Sequence, residues 1–194
     1  MTRAGPHPRD LTISLPAWVD EVVQWDHCYA DDAERVGLAI TLSRENVERR
    51  TGGPFGAAVF DSATGALLGV GVNCVERLGN AVLHGEVVAI MFAQQRAGSF
   101  TLGGPGAPPR ELVSSCEPCA MCLGATLWSG VHRLVYAASR EDATALDFDE
   151  GPVFPESYAY LERRGIRIDR EIGRAEAAAV LRLYRDRGGL IYNR

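Results

Sequence analysis

The amino-acid sequence predicts an α/β protein whose helices cover both faces of a central sheet, a three-layer α/β/α sandwich. Segments with helical periodicity alternate along the chain with short apolar segments that end at turn residues, and this alternation is typical of layered folds. A length of 194 residues is typical of one domain with an extension, and a hydrophobic content of 46% allows a buried core. We therefore expect an N-terminal arm over 1–30 and one domain over 31–194.

The first part of the chain is predicted to contain an arm, a long helix and a hairpin. In the arm, Trp18, Val22 and Trp25 recur at helical spacing, and such large side chains are expected to pack on the domain or on a second subunit. Asp31 and Asp32 are typical of a helix start. The predicted elements are helices over 17–28 and 32–50 and paired strands over 55–60 and 66–75.

The second part of the chain alternates more regularly between helix and strand patterns. The predicted helices cover 83–96, 118–128 and 175–187, and the predicted strands cover 112–115, 131–138 and 166–172. The helix over 118–128 is apolar nearly all round and is therefore expected to be buried. The segment 140–155 is the least regular and is rich in acidic residues, which indicates either a substrate loop or a solvated acidic loop.

Charge and cysteine content restrict the partners and the compartment. The net charge is −5, and phosphate contacts need clustered cations, so the sequence does not favour a nucleic-acid partner. No apolar run approaches the roughly twenty residues of a membrane helix. Five cysteines, three of them close together, argue against a disulfide framework and for a reducing compartment, so we expect a cytoplasmic protein.

One split motif carries the chemistry that the sequence predicts. Its two halves are His84-Gly85-Glu86 and Pro118-Cys119-Ala120-Met121-Cys122. If Pro118 begins a helix, Cys119 and Cys122 lie on one face, where the helix N-terminus favours thiolates. Two thiolates and the imidazole of His84 make a zinc site whose fourth position is open to water, which is the arrangement of a catalytic zinc. Glu86 is then placed to carry protons for that water.

The motif also has a structural explanation. Cys116 lies three residues before Cys119, so a closed zinc site with three cysteines and one histidine is an alternative. Against it, Pro118 is expected to begin the helix after Cys116 and so to keep Cys116 off the shared face. A structural site also has no use for a carboxylate such as Glu86 beside an open position.

The joint spacing of these motifs resembles that of the cytidine-deaminase-like superfamily of zinc deaminases. The resemblance runs from about Arg35 to the C-terminus and includes the stretch from Cys116 to Ala125. Further motifs are similar to the bacterial guanine deaminase branch, namely Gly53-Pro54-Phe55-Gly56-Ala57, Asn73 and Trp128-Ser129-Gly130. One departure is Gly85, where the family usually has Ala.

The resemblance implies a central mixed sheet of five strands and a zinc-dependent hydrolytic deaminase that releases ammonia. It implies that His84, Cys119 and Cys122 hold one Zn²⁺ and that Glu86 is the catalytic acid and base. The implied substrate is a free base, with guanine first. Alternatives are a nucleoside such as guanosine or cytidine, cytosine, or a triazine such as ammeline. A tRNA adenosine deaminase shares the motif but needs a basic surface, and a non-catalytic zinc module is the remaining alternative.

The same resemblance implies the residues that contact the substrate. It implies that Asn73 hydrogen-bonds the ring and that Phe55 stacks on it. An acidic side chain from the segment 140–155 reaches the ring in the related enzymes, and Glu141 or Asp142 matches that role. The C-terminal segment of these relatives crosses to a partner subunit and covers its pocket. We therefore expect a homodimer with an exchanged C-terminal tail, in which Tyr192 makes such a contact.

Overall fold

A computed structural model of the protein describes residues 9–193, so the first eight residues of the predicted arm and the last residue of the tail lie outside it. The helices are α1 Val19–Val22, α2 Asp32–Glu48, α3 Val75–Leu78, α4 Gly85–Ala97, α5 Ala120–Ser129, α6 Arg140–Thr144, α7 Pro155–Arg163 and α8 Arg174–Asp186. The strands are β1 Gly56–Asp61, β2 Leu67–Val72, β3 Arg110–Cys116, β4 Arg133–Ala138 and β5 Arg167–Asp169. Within the described range, no helix is both long enough and apolar enough to cross a membrane.

The five strands form one mixed sheet, as the resemblance implied, and their order in it is β2-β1-β3-β4-β5. Strand β1 is antiparallel to β2 and to β3, whereas β3, β4 and β5 are parallel to one another. Because β3 and β4 are parallel, their carboxyl ends meet at one edge of the sheet. Open α/β sheets bind their ligands at such an edge.

Helices cover both faces of this sheet, which confirms the predicted α/β/α sandwich. Successive residues of a strand point to opposite faces. In β1, Ala58 and Phe60 join an apolar cluster with side chains of α2 and α8, whereas Ala57 and Val59 join a second cluster with side chains of α4 and α5. Alternate residues of β1 therefore contribute to two hydrophobic cores, one on each face of the sheet.

Helix α4 lies close to the sheet because β2 carries glycine where the helix passes. A Cβ atom on Gly71 would overlap the backbone carbonyl of Gly85 at the start of α4. At Gly85 itself, a Cβ atom would stand only 3.2 Å from the carbonyl oxygen of Phe55. The glycine that departs from the family motif therefore lets the first turn of α4 press against the chain that enters β1.

The arm differs from the sequence predictions, and three helices, α3, α6 and α7, were not predicted. The arm helix is a single turn instead of the predicted 17–28, although Trp18 and Val23 are buried and fix the arm on the domain. The sequence patterns did not place α7, which begins at Pro155, a residue that favours the first helical turn. Its side chain Leu161 completes the apolar cluster under α4 and α5.

The prediction that the helix over 118–128 is buried is wrong for one of its faces. One side of α5 packs into the core through Leu123, but Trp128 is 77% exposed and Met121 is 36% exposed. On the neighbouring α4, Met91 is 41% exposed. An apolar face of α4 and α5 is therefore open in the single chain.

A buried ion network ties α2 to three strands. Glu111 in β3 is fully buried, and its carboxylate accepts hydrogen bonds from Arg35 at 2.6 Å and from Arg133 at 2.9 Å. The guanidinium of Arg133 also donates to Asp32 at 2.6 Å and to Asp169 at 2.5 Å. One side chain thus joins α2, β3, β4 and β5.

Candidate metal centre and catalytic site

Two helix starts bring three metal-binding side chains together beyond the carboxyl end of β3. His84 is the N-cap residue of α4, and Cys119 is the N-cap residue of α5, three residues before Cys122. Nδ1 of His84 lies 3.5 Å from Sγ of Cys119 and 3.6 Å from Sγ of Cys122. Helix α5 begins at Ala120 and not at Pro118 as predicted, but the N-cap position still places Cys119 beside Cys122.

These three side chains fit a zinc ion by their spacing and by their chemistry. One ligand atom from each lies within 4.8 Å of the others, and two thiolates with one imidazole are a zinc donor set. The pKa of Cys119 is lowered to about 4, first by the hydrogen bond from the Cys122 thiol and then by His84. Cys116 is not in this group, because its buried Sγ faces the carbonyl oxygen of Ser139 at 3.8 Å. The geometry therefore favours three protein ligands over four.

Glu86 lies in the first turn of α4 and lines the same cavity as His84 and Cys119. It is only 6% exposed. Burial raises the pKa of the Glu86 carboxyl, and the nearby Cys119 raises it further. A raised pKa makes this carboxyl group a better proton acceptor than an ordinary glutamate, and a positioned carboxyl group can take up a proton and return it.

A second buried carboxyl group, Glu150, lines this cavity and was not singled out by the sequence analysis. Glu150 is 7% exposed, and burial raises the pKa of its carboxyl to about 8, with Cys119 and Glu86 adding to the shift. No local sequence pattern distinguishes it from the neighbouring acidic residues. The following Gly151 has a φ of +69°, and a Cβ atom at that position would lie 3.1 Å from the Cβ of Ala120 at the start of α5.

The structure does not bring Glu141 and Asp142, the acidic residues proposed from the sequence, to this cavity. The carboxylate of Asp142 accepts a hydrogen bond from the backbone N of Ser139 at 2.9 Å and pairs with Arg174 at 2.8 Å. Glu141 lines a separate cavity that also contains Tyr158. Both belong to α6, a helix inside the segment that was expected to be irregular, and the helix directs them away from the metal centre.

Asn73, Phe55 and Tyr192, the other predicted substrate contacts, lie together. Asn73 is fully buried, and its Nδ2 donates a hydrogen bond to the hydroxyl oxygen of Tyr192 at 2.7 Å. The Tyr192 ring centre is 6.2 Å from that of His84, and Phe55 lines the cavity and packs edge-on against Phe148. The C-terminal tail thus covers the pocket of its own chain, and Tyr192 takes the hydrogen-bond position on Asn73.

Known proteins share this site and this fold. The family model of the cytidine and deoxycytidylate deaminase zinc-binding region matches residues 30–138. A guanine deaminase from Bacillus subtilis is 37% identical over 128 residues, which are 66% of this chain and 78% of that protein. The solved structure of guanine deaminase from Nitrosomonas europaea has a TM-score of 0.88 at 37% identity and covers 94% of this chain and 100% of that one. A guanine deaminase variant in complex with 8-azaguanine also has a TM-score of 0.88 at 37% identity, with 94% and 99% of the two chains covered.

Proposed function

The chain belongs to the cytidine and deoxycytidylate deaminase zinc-binding family, and on that premise we propose that it converts guanine to xanthine with release of ammonia. The chain is a zinc-dependent hydrolytic deaminase, and the group of His84, Cys119 and Cys122 fits its cofactor. Guanine is supported by two similar proteins at 37% identity, the guanine deaminases of Bacillus subtilis and Nitrosomonas europaea. The observation that carries the assignment is the pair of buried carboxyl groups, Glu86 and Glu150, on one cavity beside this group.

The proposed reaction replaces an amino group on a ring carbon by oxygen from water. Zinc held by His84, Cys119 and Cys122 would supply Lewis acidity and a nucleophile generated from water near neutral pH. Glu86 takes the first proton from the attacking water and delivers it to the ring nitrogen next to the reacting carbon. It then takes the second proton from the added oxygen and passes it to the amino group, which leaves as ammonia while the C=O bond forms. Its buried position suits this task, because a group that must accept and donate in turn works best with a pKa near the working pH.

Glu150 and Asn73 are suited to recognise the polar edge of a purine. Guanine presents adjacent N–H donors as well as ring acceptors. The carboxyl group of Glu150 offers oxygen acceptors to N–H groups, and the amide of Asn73 offers both a donor and an acceptor. Because an unmatched ring would leave these buried groups unpaired, they discriminate strongly between bases. Phe55 would contribute the apolar surface on which the ring stacks.

A panel of aminated rings tests the substrate proposal. Zinc-loaded protein is given guanine, guanosine, cytosine, cytidine, ammeline or an adenosine-containing tRNA stem-loop, and ammonia release is measured. We expect guanine to have the highest kcat/KM. A higher value for another ring would assign that ring and contradict the proposal. The stem-loop tests the tRNA alternative, which the net charge of −5 disfavours.

We also propose that the protein is a homodimer that uses the open apolar face of α4 and α5. Trp128, Met121 and Met91 expose large side chains there, and aromatic anchors of this kind dominate protein interfaces. Trp128→Glu is expected to give a monomer in sedimentation equilibrium. Leu11→Glu is the control, because Leu11 is 70% exposed and lies in the N-terminal arm, outside α4 and α5. A dimer that survives Trp128→Glu would contradict this interface.

Two finer points stay proposals. The exchange of C-terminal tails between subunits is still a prediction, since the described tail covers the pocket of its own chain. We place the protein in the cytoplasm because its proposed zinc ligands include thiols and all five cysteines are free. Free thiols persist in reducing compartments.

A further inference from the structure

Glu150 needs support from outside its own segment. It lies between α6 and α7, in a stretch without helix or strand. Its carboxyl group is nevertheless buried at the catalytic cavity, where a misplaced side chain loses its hydrogen bonds. Something must therefore hold this stretch of backbone in one place.

The guanidinium of Arg140 makes the required contacts on the C-terminal side of Glu150. Its Nη1 donates to the carbonyl oxygen of Val153 at 2.6 Å, and its Nη2 donates to the carbonyl oxygen of Gly151 at 3.0 Å. Within residues 9–193, Arg140 forms no ion pair with a carboxylate. Its charge is therefore directed at the two carbonyl groups, and charge-assisted hydrogen bonds are stronger than neutral ones.

The backbone of Arg140 is itself fixed close to the start of α5, the helix that carries Cys122. The backbone N of Arg140 donates to Oε2 of Glu117 at 2.9 Å, and Oε1 of Glu117 accepts from the hydroxyl of Tyr158. Glu117 stands two residues before Cys119. Arg140 thus connects a fixed point beside the metal ligands to the backbone that follows Glu150.

We propose that Arg140 is the positioning residue for Glu150 and thereby helps to determine which ring the enzyme accepts. A further hydrogen bond fixes residue 150 itself, because the backbone N of Ala120 donates to the carbonyl oxygen of Glu150 at 2.9 Å. With residue 150 tied to α5 and residues 151 and 153 tied to Arg140, the carboxyl group faces the cavity. The part of this inference that concerns substrate rests on the proposed contact between Glu150 and the base.

A double-mutant cycle tests the positioning role. Arg140→Gln is expected to lower kcat/KM for guanine by roughly 10²-fold, the loss typical of a displacement of about 1 Å in an active site. Arg140→Lys should lose nearly as much, because an ammonium group does not reproduce the two-pronged guanidinium geometry. In the Glu150→Gln background, Arg140→Gln should change kcat/KM by less than about threefold, since residues that act as a unit are not additive. Arg182→Gln, at an exposed site on α8, is the matched control.

Hydrogen exchange of zinc-loaded protein without substrate gives a readout that is independent of activity. In Arg140→Gln and in Arg140→Lys, a peptide covering 146–154 should exchange at least about tenfold faster than in the wild type, while a peptide from α8 should not change. Zinc content verifies the metal site in each variant. If Arg140→Gln does not fold, Arg140→Lys carries the same comparison.

The outcomes separate this inference from the proposed function. Unchanged exchange in the 146–154 peptide, or an equal loss of kcat/KM in both backgrounds, would overturn the positioning role. A fully active Glu150→Gln would overturn it together with the role of Glu150 in recognition. If the wild type deaminated another ring and not guanine, the guanine proposal alone would fall, and the same cycle would be measured with that ring.

Discussion

At the scale of single residues, two buried carboxyl groups are set apart because they line the cavity beside the metal-binding group. Glu86 and Glu150 are 6% and 7% exposed and line one cavity, and burial raises the pKa of each. Two such groups at one site influence each other's protonation, so the pKa values observed in a titration describe the pair and not either carboxyl group alone. We assign proton transfer to Glu86 because it is two residues from His84, and recognition to Glu150 because its segment comes from outside the two metal-binding helices.

Glu86→Gln is predicted to abolish turnover and to keep zinc. Glutamine preserves the size of the side chain but cannot accept a proton, and positioned acid–base groups are worth roughly 10²–10⁴ in rate. The paired measurement is zinc content and ammonia release with the best ring of the panel. If Glu86 only favoured the helix N-terminus, an effect below about 1 kcal/mol, the chemistry would survive. Normal zinc with more than about a tenth of the wild-type rate would exclude the acid–base role.

Cys119→Ser and Cys122→Ser are each predicted to lose the metal. Serine is a poor ligand for zinc, and each substitution leaves only two protein ligands. Wild-type protein should bind about one zinc per chain. Cys116→Ser is the control and should keep its zinc, because Sγ of Cys116 faces Ser139 and not the metal centre. Stoichiometric zinc in both ligand variants would refute the assignment.

The sequence motifs predict the metal group and Glu86 but not Glu150. His84, Cys119 and Cys122 occupy the first residues of two helices, so local spacing alone determines their geometry. Glu150 is one of several acidic residues in a single segment, and nothing local distinguishes it. In our proposal its position depends on Arg140, which lies earlier in the same connection between β4 and β5 and contacts the backbone after Glu150 only in the folded chain.

At the scale of elements, the sequence predicts what lies in the core and fails where exposure depends on a partner. The periodicity of α2 and α8 places both helices to within about two residues, because each buries one apolar stripe. For α5 the apolar pattern runs round the helix and predicts full burial, yet Trp128 is exposed in the single chain. A surface reserved for a second subunit has the composition of a core, so the pattern cannot tell the two apart.

Deletion of the residues after Gly189 is predicted to lower kcat more than it lowers zinc content. The tail holds the segment that carries Glu150, because the backbone N of Asp149 donates to the carbonyl oxygen of Asn193 at 2.8 Å and the side chain of Asn193 donates back at 2.8 Å. The tail also excludes water from the site. Kinetics with guanine and metal analysis are measured together. A truncated protein with full kcat would show that the tail has no part in turnover.

At the scale of the whole molecule, the ion network centred on Arg133 connects α2, near the start of the domain, with the edge strand β5, near its end in the chain. It links Asp32 at the start of α2 with Asp169 on the edge strand β5, which are far apart in the chain. Arg133→Met should lower the free energy of unfolding by about 3 kcal/mol, because Glu111 then stays buried with one partner fewer. Urea denaturation of zinc-loaded protein measures this loss. Arg167→Gln, which removes an exposed partner of Asp169, should change stability by less than about 0.5 kcal/mol.

The same network predicts how stability depends on pH. The hydrogen bond from Arg133 holds the pKa of the Asp32 carboxyl below its ordinary value. The unfolded chain therefore binds more protons than the folded chain below about pH 4, so this contribution is present above that pH and is lost on further acidification. In Arg133→Met the pKa of Asp32 should return towards its ordinary value. The unfolding midpoint of the variant should then fall less steeply below pH 4 than that of the wild type, and an equal fall would contradict this account.

The hydrogen bond between Tyr192 and Asn73 has a consequence for the concentrations to which the enzyme responds. If the base takes the hydrogen bond on Asn73 that we propose, it competes with the Tyr192 hydroxyl for one position, and only chains with a displaced tail bind it. The apparent dissociation constant equals the intrinsic constant divided by the fraction of displaced tails, and a tail displaced one-tenth of the time weakens apparent binding about tenfold. Substitutions that tighten the tail would therefore raise KM without altering any other group that touches the base. The last few residues of the chain thus adjust the sensitivity of the enzyme, while the metal centre sets its chemistry.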